Sequence, residues 1–390
     1  DKHMNVPVAI SGGGIIGNYI SLRLKRNNID SLIIEKSDYM PDMSEGIRTL
    51  TLNNHSMSLL KAEGIDIESA PINEINALDG EGTGKIQFLA DDINESYLSH
   101  VVMFNDLKNR LTALCKDKTL FNNEINSIQK FNSEDTSEAI LEDGDSLHAQ
   151  IIAGCDGRNS NIAKITGLPN EYYEYKQTAI TFIGHVTNND NSLIAHQAFS
   201  EKGIFALMPM PNKGSKKNRY TIVWSIDNSI LQNISPTEYV KNNLSFFESK
   251  LNIKIEVNSE ILNFKLSNHH FKNYIKDSVV LIGDAAHSIH PLAGQGINLG
   301  LADADIFCEE VIDAYNKGFK INNQAILKKY EIRRKGMNLL MLKSMDFFVD
   351  FFSSKNLYII LLRNFGLNSV NKTKFLKAFF MRHASGLNKF

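Results

Sequence analysis

A chain of 390 residues, 43% hydrophobic and 22% charged, is long enough for about two domains and has the composition of a soluble globular protein. Its formal net charge of −2 excludes a general nucleic-acid binder, which needs a basic surplus against phosphate. Three cysteines, Cys115, Cys155 and Cys308, form no CxxC pair, so neither a disulfide framework nor a zinc site is expected and a cytoplasmic location is the simplest reading.

Asp1, Lys2 and His3 precede Met4 and read as a leader foreign to the fold, with no signal peptide behind them. Val6 to Ile10 is a short buried strand, Ser11-Gly12-Gly13-Gly14 a turn, and a helix follows to about Arg26. Ser31 to Ile34 is a second strand ending at Glu35. Strand, glycine turn, helix and strand make a right-handed βαβ unit. Within it, Gly12-x-Gly14-x-x-Gly17 stands where a dinucleotide fold requires it. Gly12 permits the tight turn, Gly14 lets backbone approach a pyrophosphate, and Gly17 lets helix pack on strand. The first amides of the helix then face phosphate charge. Glu35, with Lys36 beside it, is placed to accept hydrogen bonds from ribose hydroxyls. This fingerprint specifies a dinucleotide without saying which.

Asn53 to Ala62 carries helical spacing, and Gly64 stops it. From Thr178 to Trp224, β-branched and aromatic residues alternate with turn residues, the pattern of an antiparallel sheet, with Lys213 to Asn218 as an exposed hairpin loop. Val279 to Ile282 is all apolar, like a parallel strand buried on both faces. Helical periodicity takes over from Gly300. The expected architecture is α/β, a Rossmann-like cofactor domain interrupted by a mostly antiparallel β-sheet domain, with C-terminal helices. We place the cofactor domain at 4–72, 97–175 and 270–335, the α+β substrate domain at 73–96 and 176–269, and a helical segment at 336–390. The densest apolar run, Leu357 to Leu362, is closed by Arg363 and is far too short to span a bilayer. Residues 351–390 hold seven Lys or Arg and no Asp or Glu. That composition suits either packed helices with a solvated basic face or contact with an anionic membrane surface.

Asp284-Ala285-Ala286-His287-Ser288-Ile289-His290-Pro291-Leu292-Ala293-Gly294-Gln295-Gly296-Ile297-Asn298 resembles the second FAD motif of the class A flavin monooxygenases. Gly154-Cys155-Asp156-Gly157-Arg158 resembles the Asp-Gly motif of the same superfamily. Within it, the run from Gly283 to Asp303, Phe205-Ala206-Leu207-Met208-Pro209, and Leu362-Arg363-Asn364-Phe365-Gly366-Leu367 are similar to the ubiquinone-biosynthesis hydroxylases. The resemblance implies FAD as cofactor and NADPH or NADH as electron donor. It implies that Asp284 binds the ribityl or ribose region, that Asp156 serves FAD and the nicotinamide donor, and that Arg48 lies against the pyrophosphate. Ile125, Ile297 and Asn298 join the cofactor-binding candidates. Two departures stand out: Phe104 replaces an expected polar residue, and Lys164 an expected arginine, without its bidentate geometry.

In the second motif, Pro291 redirects the chain, and Gly294 and Gly296 leave bare backbone to lie against a flat ring. A helix starting near Gln295 would aim its first amides at the pyrimidine edge, where reduced flavin carries negative charge. His287 and His290 have no carboxylate or cysteine at metal spacing, so no metal is expected. No Ser-His-Asp set is present either; Pro291, near the reactive face, is the only protein group we assign to the chemistry. Phe199, Phe205, Met208 and Trp224 are substrate-pocket candidates, with plain core as the favoured reading of each. The function implied is hydroxylation of a polyprenylated phenol in ubiquinone biosynthesis by O2, through reduced FAD and its C4a-hydroperoxide. Such an enzyme would work at the inner face of the membrane, with other biosynthetic enzymes as partners. A soluble aromatic or polycyclic substrate, or reduction of a prenyl chain, are the alternatives.

Overall fold

The computed structural model describes residues 2–80, 82, 85–129, 136–188, 193–214, 216–288 and 296–353, and of 79, 85–86 and 344–353 the backbone alone. The opening unit forms as its sequence predicts. The strand His3–Ser11 leads through the glycine turn into helix α1 (Ile15–Arg26), and Ser31–Ile34 returns parallel to it, Val8 opposite Ser31. Helix α1 buries Tyr19, Ile20 and Leu24 and places Arg23, Lys25 and Arg26 in its last turn, where they complement the helix dipole. One expectation is corrected here. His3 pairs with Ser146, and the Lys2 amide donates to the Asp145 carboxylate at 2.8 Å. These residues are woven into the first strand because Ser146–Gly154 extends far enough to offer them partners.

The cofactor-side sheet runs Ile275–Lys276, Val279–Leu281, Ser146–Gly154, His3–Ser11, Ser31–Ile34 and Thr119–Leu120, with Ser137–Leu141 and Ile125–Gln129 branching from it. From Val279–Leu281 to Thr119–Leu120 the pairing is parallel. Val8, Ala9, Ile10, Ile33, Ile151, Ile152 and Val280 are fully buried, as strands covered on both faces must be. Helices α2 (Asn54–Ala62), α3 (Phe104–Leu114) and α4 (Asn161–Thr166) follow in the chain, and α6 (Gly296–Asn316) packs on α1.

The second sheet has nine strands, antiparallel except where Ile194–Ser200 meets Glu74–Asp79. Helix α5 (Pro236–Leu251), started by the Ser235 hydroxyl capping Glu238, covers one face. Strand alternation points Phe205, Leu207, Ile222, Trp224 and Ile226 at α5 and sends Ala206, Met208 and Val223 the other way. Phe205 stacks on Phe247 with ring centroids 4.4 Å apart, and Trp224 meets Phe247 edge-on at 5.0 Å. The Trp224 indole donates to the Lys202 carbonyl at 2.8 Å. Phe205 and Trp224 are therefore core under α5 and do not line a substrate pocket. Met208 lies on the opposite face with Ala70, Ile72, Val101 and Ala195.

A three-stranded sheet, Thr49–Asn53, Ser99–Met103 and Ala70–Ile72, lies between the two larger ones. Its Val101 packs toward Met208, while Leu50, Leu52 and Val102 enter the cofactor-side core. Helix α7 (Gln324–Ser353) packs along α6. No helix among the described residues is long and apolar enough to cross a membrane. The basic segment 351–390 lies outside the described residues apart from the last turn of α7.

Candidate functional site

Two of the motif glycines are demanded by backbone contacts. Gly12 has φ +108°, and a Cβ there would stand 2.4 Å from the Cys155 carbonyl oxygen. At Gly17 a Cβ would stand 2.0 Å from the Gly12 oxygen and 3.1 Å from Ile10 Cγ2. Gly14 differs, because a Cβ there would meet no protein atom within 4 Å. It is also the N-cap of α1 and provides no side-chain acceptor to the first amides. An uncapped helix start beside open space is an electropositive cradle, which fits a phosphate-bearing ligand.

Glu35 closes this cradle from the second strand. Its Oε1 accepts the Gly13 amide at 3.0 Å and its Oε2 the Ser37 amide at 2.7 Å. Each oxygen keeps a second lone pair, so the carboxylate is oriented and still able to accept from a ribose hydroxyl. The Glu35 carbonyl accepts the Asn123 amide at 3.0 Å. Ile125, two residues on, is fully buried and gives its carbonyl to Asn161 Nδ2 at 2.8 Å. Lys36 is exposed beside Glu35.

Asp284 reaches the same place from far along the chain. It follows Gly283 (φ +68°) in a short 3-10 turn, and Gly283 and Gly300 both pack against Ile16 of α1. Arg48 enters from the three-stranded sheet with its guanidinium over the Phe104 ring, 4.1 Å from the centroid. Phe104, a departure in the sequence pattern, is thus the platform for this cation. Arg48 and Asp284 are both open to water, yet both are hemmed in by protein atoms, the condition of groups lining a deep cleft. Burial pushes the Asp284 carboxyl up, while His287, Arg158 and Arg48 pull it back. Burial likewise lowers the Arg48 pKa, against the attraction of Asp284. A cation and an anion facing one cleft beside an uncapped helix suit a ligand with both phosphate and hydroxyl groups.

Two candidates are also tied into the scaffold. The Asp156 carboxylate accepts from the Ser160 hydroxyl and from the Ile162 amide at 3.1 Å, which starts α4. Its neighbour Arg158 donates to the Ser267 carbonyl at 2.8 Å, tying this loop to the large sheet. Asn298 accepts the Asn53 amide at 2.9 Å and the Ser56 hydroxyl at 2.7 Å, and donates to the Thr51 carbonyl at 2.9 Å. Its side chain pins α6 to the start of α2. Gly296 opens α6 and Ile297 is half-buried against the core. Pro291 and Gly294 lie outside the described residues, as does Gln295, where the helix was expected to begin.

A contact without sequence signal holds the loop between Glu35 and Arg48. Buried Arg219 donates to both oxygens of Glu45 at 2.7 Å each. Hydrogen bonding from Arg219, helped by its charge and by Lys216 and Lys213, lowers the Glu45 pKa against the effect of burial. A depressed folded pKa stabilises above the ordinary glutamate value of about 4.3 and is lost as pH falls through the folded one. Glu45→Gln should therefore cost about 1–2 kcal/mol at neutral pH and almost nothing in acid. The pair keeps some solvent contact, so this is less than the ~3–5 kcal/mol for breaking a fully buried pair. Urea unfolding of both proteins across that pH range checks it; parallel stability curves would refute it.

Comparison with known proteins adds four findings. Residues 5–342 match the family model described as FAD binding domain. The 3-demethoxyubiquinol 3-hydroxylase of Escherichia coli (strain K12) is 28% identical over 393 residues, covering 97% of this chain and 98% of its own. The ubiquinone hydroxylase UbiL of Rhodospirillum rubrum is 29% identical over 396 residues, covering 98% and 90%. Among solved structures, p-nitrophenol 4-monooxygenase PnpA from Pseudomonas putida DLL-E4 superposes with a TM-score of 0.79 at 16% identity, covering 100% of this chain and 99% of that one. That last likeness is one of fold.

Proposed function

The chain belongs to the FAD binding domain family, and on that premise we propose that it is an FAD-dependent monooxygenase hydroxylating the aromatic ring of a ubiquinone precursor. FAD, when bound, supplies the redox chemistry, taking electrons from NADPH or NADH and activating O2. The protein's part is to hold and enclose it. Gly12 and Gly14 with the uncapped start of α1 would take the pyrophosphate. Glu35, with Lys36 and the 120–125 loop beside it, would take the adenosine ribose. Arg48 on its Phe104 platform supplies the cation, and Asp284 receives the hydroxyls nearer the flavin. Gly296 and Ile297 continue that wall. The carrying observation is the meeting of Gly12–Gly17, Glu35, Arg48 and Asp284 at one cleft.

For the substrate we propose a polyprenylated phenol. Support comes from relatives of nearly equal length named as ubiquinone hydroxylases and from the acid-free, basic and apolar composition of 351–390. That composition suits attachment to the anionic inner face of a membrane, where such a lipid resides and where partner enzymes would be met. We assign 73–96 and 176–269 to the substrate side and 4–72, 97–175 and 270–335 to the cofactor. Deleting the gene and extracting lipids tests the reading. A precursor lacking one ring hydroxyl is expected to accumulate as ubiquinone falls; unchanged ubiquinone would refute it. If the purified protein turned over small soluble phenols and ignored anionic liposomes, the soluble-substrate reading would replace it.

A further inference from the structure

We infer that Asp303, held by Arg334 and Asn338 of α7, positions the Gly283–Asp284 turn and thereby makes the long helix α7 a supporting wall of the cofactor cleft. Asp303 lies on α6 and is fully buried. Its Oδ2 accepts the Gly283 amide at 3.1 Å and a hydrogen bond from His287 Nε2. Its Oδ1 accepts Arg334 Nε at 2.7 Å and Asn338 Nδ2 at 3.0 Å. Arg334 also donates to Asn338 Oδ1 at 3.1 Å, which locks the two α7 side chains to each other.

The network reaches further. Asn338 Nδ2 lies 3.2 Å from Tyr274 Oη, which in turn pairs with His270 of the large sheet at 2.8 Å. One carboxylate therefore joins the turn after Val279–Leu281, α6, α7 and the strand Leu262–Phe271. Its bond to the Gly283 amide fixes the backbone that leads into Asp284. At the other end the Ala286 amide bonds to the Gly283 carbonyl at 2.9 Å. Asp303 anchors this turn from outside, and α7 holds Asp303. Burial alone would neutralise such a carboxyl, but the adjoining His287 and Arg334 outweigh it and keep it ionised. The carboxylate and the Arg334 guanidinium balance each other behind the cleft, within electrostatic reach of Asp284.

Asp303→Asn keeps the shape, removes the charge and turns one acceptor into a donor facing Arg334. In protein reconstituted with FAD, the variant is expected to bind the cofactor roughly tenfold more weakly, the loss of one charged hydrogen bond. Its flavin midpoint potential is expected to move positive, because the Arg334 charge is left uncompensated and favours electron uptake. Affinity within about threefold of wild type, or weaker binding with an unchanged potential, would overturn the inference. If Asp303→Asn does not fold, Asn338→Ala decides. It is expected to lower the melting temperature of the FAD-free protein by a few degrees, because a buried hydrogen-bonded amide is lost. At a temperature where that protein is still fully folded, it is expected to weaken FAD binding about threefold; unchanged affinity of the folded variant overturns the inference. These readouts concern FAD alone, so they are separable from failure of the substrate reading.

Discussion

An alanine at Gly17 is expected to give a protein that folds but purifies without flavin. The added Cβ would lie 2.0 Å from the Gly12 carbonyl oxygen, and both atoms are fixed to backbone, so no rotamer relieves the clash. The start of α1 must lift from the first strand. Overpacking of this kind costs about 1–3 kcal/mol. The same shift moves the amides that would face the pyrophosphate, and each 1.4 kcal/mol of lost binding is about tenfold in affinity. A ten- to hundredfold weaker hold on FAD follows, visible as the ratio of flavin to protein absorbance after purification. Gly14→Ala separates the causes. Its Cβ meets no protein atom within 4 Å, so stability should stay at the wild-type value while FAD binding falls. A Gly17→Ala protein carrying full flavin would remove the steric basis of this site.

Trp224→Ala should behave in the opposite way, with a large loss of stability and an unchanged cofactor site. The indole is fully buried between Phe205, Phe247 and Tyr239, and its N–H is bonded to the Lys202 carbonyl. Removing it opens a cavity under α5, at about 3–5 kcal/mol, while the Lys202 carbonyl keeps the Tyr239 hydroxyl as its donor at 3.1 Å. Trp224 is the chain's single tryptophan, so the variant must be followed by circular dichroism rather than intrinsic tryptophan fluorescence. The face concerned is turned away from Met208 and the three-stranded sheet, and the folded fraction should bind FAD with wild-type affinity. A cofactor defect without a stability loss would return Trp224 to the ligand side.

The contrast also marks what could be read from residues alone. The roles of Gly12 and Gly17 are decided by atoms a few positions away or by one strand crossing, so a short motif carries them. The antiparallel sheet was legible because alternation is a local property of each strand. Phe205 and Trp224 were legible as core, but what covers them was not, since only α5, packed across the sheet, decides which face is covered. Asn298 and Asp156 sit in motifs that suggested ligand contact, and the motifs gave no sign that the same side chains also hold Asn53, Ser56, Thr51 and the start of α4. Phe104 read as a lost contact because a cation platform has no one-dimensional signature. Asp303 carried no assigned role at all, as its partners come from 283, 287, 334 and 338.

The interleaving of the parallel strands has a consequence for synthesis. Ser31–Ile34, His3–Ser11, Ser146–Gly154 and Val279–Leu281 are neighbours in space, but the last leaves the ribosome after every strand of the large sheet except His287–Ser288. Most pairings of that sheet join segments between 170 and 271, so it can assemble while translation continues. The cofactor-side sheet must wait for a partner some 270 residues behind its first strand, a slow, non-local closure. Asp284 and Asp303 emerge later, and Arg334 and Asn338 later again. Asp284 completes the cofactor cleft only after that closure, so flavin loading is expected late in synthesis.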